Sequence, residues 1–127
     1  MDNPKEVDDL ITLYQRLYRH SLGAFPAFRS YGYAHKLLSE LRGRYYHNQC
    51  RALIYEHFEW KGTSGTDEWT LGRLRNAGFP IPWLLNAAGM YAQSLREQVG
   101  EDIWGNDEAL GKQVDNWDKM LLSSKTA

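Results

Sequence analysis

The sequence predicts an all-α fold, a small bundle of about five or six helices, and three observations lead to it. Apolar residues recur at helical spacing in separate stretches, around residues 10–18, 84–95 and 110–121. No run alternates with period two for long enough to make a strand. Glycine and proline fall between the periodic stretches, where helices stop and start. At 127 residues, 43% hydrophobic and 24% charged, the chain has the size and composition of one ordered domain, 1–127.

Each helix has its own warrant. Pro4 suits a first helical turn with Asn3 as its N-cap, and Glu6, Asp8 and Asp9 follow where the helix dipole favours acids. Leu10, Leu13, Tyr14, Leu17 and Tyr18 form one face, and Gly23 and Pro26 stop the helix near Leu22. Ser30 is placed to cap a second helix, on which Tyr33, Leu37, Leu41 and Tyr45 recur every four residues. Leu53, Ile54 and Phe58 continue the apolar pattern, with a break favoured near His47-Asn48 because few globular helices run for thirty residues or so. After a connector at Gly62–Thr66, a helix is expected over Asp67–Asn76, ended by Gly78 and Pro80. Pro82 opens the next, from Trp83 to Val99, with Leu84, Leu85, Ala88, Tyr91, Ala92 and Leu95 as its apolar positions. Gly100 ends it. Asn106 or Asp107 caps a last helix with the stripe Leu110, Val114, Trp117 and Leu121.

Charge is unevenly spread. From Tyr14 to Arg51 the chain carries Arg16, Arg19, Arg29, Lys36, Arg42, Arg44 and Arg51 against the single acid Glu40, a net +6 in a chain of net −1. Basic residues mixed with tyrosine suit a phosphate backbone with stacked bases, or an acidic protein helix. A solvated helix face is the plain alternative. Aromatic residues are enriched at 13%, and such rings serve either as core or as interface anchors. Trp69, Trp83, Trp104 and Trp117 are spread one per segment, about half expected in the core and the rest on a docking surface.

Catalytic patterns are poor, and no enzyme is expected. His20, His35, His47 and His57 show no recognised metal spacing, and no phosphate loop, nucleophile elbow or cysteine pair is present. Neither a metal site nor a cofactor of the chain's own is expected. Glu56-His57 places an acid beside an imidazole, but adjacent residues do not face each other on a helix, so a surface or supporting histidine is the expectation there. An enzyme built around His47, His57 and Glu56 remains a third reading. Cys50 is the only cysteine, which excludes an intrachain disulfide, favours a reducing compartment and reads as packing. The most apolar run, Phe79 to Ala92, is too short to span a bilayer and holds two prolines. The acidic N-terminus is unlike a signal peptide or an Arg-rich transit peptide.

Leu17-Tyr18-Arg19 is the tripeptide that names the LYR-motif family of small mitochondrial helical proteins, and residues 10–48 resemble that family. In the family a phenylalanine follows about eleven residues after the motif; here Phe28 lies eleven after Leu17, with Phe25 nearby. An aromatic-Ala pair and several bases follow on a second helix, matched here by Tyr33-Ala34 and by Lys36, Arg42 and Arg44. A competing frame, Leu13-Tyr14-Gln15, lacks the arginine but lies twelve residues before Phe25. Many members are basic throughout, as this chain is not, and nothing beyond residue 60 resembles the family.

The resemblance implies an LYR-type three-helix core over 10–60 and a C-terminal extension of helices over 67–122. It implies a non-catalytic adaptor, accessory subunit or assembly factor of a mitochondrial complex, respiratory complex I first among these, on the matrix side or in the matrix. Its partner would be acidic acyl carrier protein, whose acylated phosphopantetheine is the only cofactor involved. Leu17, Tyr18, Arg19, Phe28, Arg29, Lys36, Arg42 and Arg44 would meet the carrier, and Leu22, Leu37 and Leu41 would line a tunnel for the acyl chain. The alternative is a small helical nucleic-acid-binding module using the basic 29–51 face.

Overall fold

The computed structural model describes residues 4–22, 31–58 and 81–123, and within them the chain forms six helices and no strand. They are α1 (Pro4–Leu22), α2 (Tyr31–Arg44), α3 (His47–His57), α4 (Ile81–Val99), the single turn α5 (Glu101–Trp104) and α6 (Asp107–Ser123). The helix expected over 67–76, its connector, Ser30 and the Gly23–Phe28 bend lie outside the described residues.

The centre of the bundle is α3, which packs against α1, α2, α4 and α6. Its direction follows from its partners. Glu6 meets His47 and Tyr14 meets Phe58, so α3 runs parallel to α1. His57 meets Tyr91 while Glu56 meets Ser94 and Gln98, so α4 runs back antiparallel. Asn48 meets Asp107 and Tyr55 meets Trp117, so α6 is parallel to α3 again. From Cys50 to Phe58 every residue except Arg51 is buried. A helix enclosed on all sides has no polar face, and the run Ala52-Leu53-Ile54-Tyr55 is the sequence trace of that enclosure.

The outer helices are one-sided, as their patterns require. On α1, Val7, Leu10, Ile11, Leu13, Tyr14 and Leu17 are buried, while Tyr18 is half-buried against the core. The six expected positions of α4 and the four of α6 are all buried. One apolar cluster runs through α1 to α6, so the C-terminal helices share the core of the N-terminal ones. Each fully buried leucine, such as Leu10, Leu17, Leu41 or Leu84, contributes about 1.5–3 kcal/mol by burial.

The helix boundaries have local causes. α2 and α3 part at Tyr45-Tyr46, just before the expected break. There Arg42 Nη1 donates to the Tyr45 carbonyl at 3.0 Å, and the Tyr46 amide donates to Gln49 Oε1 at 3.0 Å. Those bonds satisfy groups that the end of one helix and the start of the next leave open. α4 stops at Gly100, whose φ of +93° favours glycine. Asn106 caps α6, its side-chain oxygen accepting from the Ala109 amide at 3.1 Å.

Where α6 crosses α3, a Cβ on Gly111 would lie 2.6 Å from Asn48 Nδ2. That amide is pinned: Nδ2 donates to the Asp107 carbonyl and carboxylate at 3.0 and 3.1 Å, and Oδ1 accepts from Arg51 at 2.8 Å. Gly111→Ala is therefore expected to destabilise the protein by about 1–3 kcal/mol through overpacking, despite the helix propensity that alanine adds. Thermal melts followed by circular dichroism will show the lowered midpoint.

Candidate functional site

The motif residues sit on α1 as a graded series. Leu17 is wholly buried, Tyr18 is half-buried with its ring centroid 6.1 Å from that of Tyr14, and Arg19 is exposed. The competing frame is more deeply enclosed: Leu13 is buried and Tyr14 is only 3% exposed. Burial, and then the neighbouring Tyr18 hydroxyl, hold the Tyr14 hydroxyl above the ordinary tyrosine range. Of the two tyrosines, Tyr18 is the one with surface to offer.

The basic residues divide into two groups. Arg16, Arg19, Lys36 and Arg44 are exposed. Arg42 and Arg51 are engaged inside the protein. Arg42 Nε donates to Glu6 Oε2 at 3.1 Å, tying the first turn of α1 to the end of α2. Arg51 donates to Asn48 and Asp115, each at 2.8 Å, and to Asp118, which also accepts from the Tyr55 hydroxyl. Burial opposes the charge on Arg51, but Asp115 and Asp118 outweigh it and hold its pKa above the usual value. Burial, reinforced by Asp118, likewise keeps the Tyr55 hydroxyl protonated beyond the ordinary range. The basic stretch is thus partly neutralised by acids from α1 and α6, a pairing that segment-by-segment charge does not reveal.

Two of the residues expected to line an acyl tunnel, Leu37 and Leu41, are core residues here. Leu41 is wholly buried and Leu37 is 9% exposed, both within the apolar cluster. The side chain of Leu22, and Phe28 and Arg29 entirely, lie outside the described residues. Among the tryptophans, Trp104 and Trp117 are buried and Trp83 is half-buried beside Pro82, Asn86, Ala87 and Met90 in a shallow apolar groove on α4. Trp69 lies outside the described residues.

Of the two places expected for His57, the surface is excluded. Glu56 and His57 are 2% and 0% exposed, and both reach α4. Glu56 accepts from Ser94 Oγ at 3.0 Å and from Gln98 Nε2 at 3.1 Å. His57 Nδ1 shares a 3.0 Å hydrogen bond with the Tyr91 hydroxyl. Adjacent side chains diverge by about 100°, yet α3 is so enclosed that both directions lead into α4. The Glu56 oxygens thus have neutral donors, as buried polar groups require. Cys50 is also enclosed, and burial pushes its thiol up to about 12, which suits packing rather than reactivity.

Among the described residues no group of three or more histidine, cysteine or acidic side chains is arranged to hold a metal ion, and no helix is long and apolar enough to cross a membrane. Comparison with known protein families, with curated proteins and with solved structures finds no match to this chain.

Proposed function

We propose that the chain is a non-catalytic adaptor of the LYR type, an accessory subunit or assembly factor in a mitochondrial complex, respiratory complex I first among these, that docks acidic acyl carrier protein carrying an acylated phosphopantetheine. The observation that carries the reading is the disposition of Leu17-Tyr18-Arg19 on α1. The leucine anchors in the core, the tyrosine lies at its edge and the arginine faces outward. The exposed bases Lys36 and Arg44 on the neighbouring α2 support it, since positive side chains steer an acidic partner and set its register. Affinity would come from burying the acyl chain, at about 0.8 kcal/mol per CH₂. Arg42 is held by Glu6, so its part in docking is secondary to that of Arg19, Lys36 and Arg44.

Native mass spectrometry of the protein isolated from its own cells tests the reading, with each partner then identified under denaturing conditions. The expected result is an acidic carrier with an acylated arm. Arg19→Glu combined with Arg44→Glu should weaken its binding by about tenfold or more at low salt, because both charges are exposed and act on encounter. The same double variant should change folding stability by no more than about 0.5 kcal/mol per site. Recovery of nucleic acid, or of a single unrelated protein, in place of the carrier would reject the adaptor reading. Nucleic acid would then point to the basic α2–α3 segment.

A further inference from the structure

At the corner where α2 meets α3, two nitrogenous side chains approach one carboxylate oxygen. Glu6 Oε2 lies 3.1 Å from Arg42 Nε and 3.4 Å from His47 Nδ1. Arg42 makes the hydrogen bond. His47 Nδ1 does not, and it is the buried side-chain polar atom, among the described residues, that lacks any such bond. Arg42 also grips the Tyr45 carbonyl, so the hold on Glu6 and the geometry of the corner are one arrangement. Tyr46, 64% exposed, and the exposed Arg44 are carried on that corner.

We propose that His47 is a pH-sensitive latch that decides whether Arg42 is held by Glu6 or released toward an acidic partner. The regulatory half rests on the adaptor reading; the latch itself rests on the corner's geometry. A neutral imidazole has no charge to set against Arg42, and in the tautomer with its proton on Nε2 it turns only a lone pair toward a carboxylate that cannot donate. Taking up a proton from solvent makes Nδ1–H a charged donor, close to an acceptor that needs only a small shift to accept it. The imidazolium then competes with Arg42 for the same oxygen and repels the guanidinium beside it. The charged groups acting on His47 are Glu6 and Asp9 from α1, Arg42 from α2, and Arg51 from its own helix. Asp115 and Asp118 already engage Arg51, so Glu6 is the acid in contact with His47. Burial is the largest influence and holds His47 below the ordinary imidazole range, against the opposing pull of Glu6. The latch is therefore shut at neutral pH and opens as the pH falls below the ordinary imidazole range.

The linkage to stability has a definite sign. A histidine whose folded pKa is lowered leaves stability intact above its unfolded value, near 6.5. Stability is lost as the pH falls from there toward the folded value, because the unfolded chain takes up the proton first.

Nitrogen-15 NMR on the full chain between pH 4.5 and 8 tests the latch directly. The Arg42 Nε–Hε resonance, assigned by its loss in Arg42→Lys, should move with the same midpoint as the His47 ring and stay flat in His47→Gln. In Glu6→Gln, Arg42 should already show its released shift at neutral pH and the His47 midpoint should fall further. A His47 ring that titrates while Arg42 does not respond would overturn the latch, as would an unchanged Arg42 titration in His47→Gln. Binding of purified acylated acyl carrier protein tests the regulatory half. Its affinity should rise about threefold as the pH falls through the His47 midpoint read by NMR in the wild type, and not in His47→Gln. Carrier binding with the same pH dependence in both proteins would overturn the regulatory half. No binding at any pH would sink the adaptor reading and that half with it, leaving the NMR result to decide the latch.

Discussion

Leu41→Ala is expected to lower the unfolding free energy by about 2–5 kcal/mol, a large share of what holds a domain of this size together. Leu41 is wholly buried in the cluster shared by α1, α2 and α3, so removing three carbons leaves a cavity that the surrounding helices only partly close. Urea unfolding will show the loss as a lower midpoint with an unchanged slope. The same variant tests the acyl-tunnel proposal. If an acyl chain enters beside Leu41, acylated carrier protein should restore part of the lost stability, because it binds the folded state alone, and unacylated carrier should restore less. A loss below about 1 kcal/mol without carrier would show that the space around Leu41 is already open.

Arg51→Ala is expected to cost about 2–3 kcal/mol, the scale of hydrogen bonds to charged groups with limited access to water. The Arg51 side chain is only 16% exposed and joins α3 to α6 through Asp115 and Asp118. Asp115 is 61% exposed, and its share of the loss is small. Asp118, at 30%, keeps only the Tyr55 hydroxyl and carries most of it. Arg51→Lys retains the charge but not the forked geometry, and is expected to recover less than half of the loss. Raising the salt concentration should shrink the Asp115 contribution and leave that of Asp118 nearly intact, which a double-mutant cycle at each position will resolve.

The one-sided helices were legible because their physics is local. The stripe Leu110, Val114, Trp117 and Leu121 needs only a period of 3.6, and the structure buries all four. Val7 and Ile11 widen the face of α1 beyond the expected set, since α2 and α3 both pack on that helix. The four-residue α5 has no periodicity to detect and depends on tertiary contacts, Trp104 packing on Tyr45 and its carbonyl accepting from Gln49. The break at Tyr45-Tyr46 was legible as a region; its position depends on Arg42 and Gln49 reaching across the gap.

The candidate site was less legible, because charge along the chain does not report charge in space. Arg42 and Arg51 belong to the basic stretch by sequence but are paired with Glu6, Asp115 and Asp118 from distant positions. Glu56 and His57 are adjacent, which on a one-sided helix would turn one of them outward, whereas α3 has no exposed side along that stretch. The four consecutive apolar residues from Ala52 to Tyr55 were the available sign of all-round enclosure.

The carboxylate buried between α3 and α4 has a mechanical consequence. Apolar side chains slide past one another with little change in energy until their shapes clash. Glu56, seated on Ser94 and Gln98, and His57, seated on Tyr91, admit one alignment of the two helices. A slip by a single residue would strand an acid away from both water and its donors, at a cost of several kcal/mol. The two helices therefore behave as one stiff beam. A push on the outer face of α4, near Trp83 and Met90, would be felt at the far side of α3 as displacement rather than dissipated as rearrangement between them.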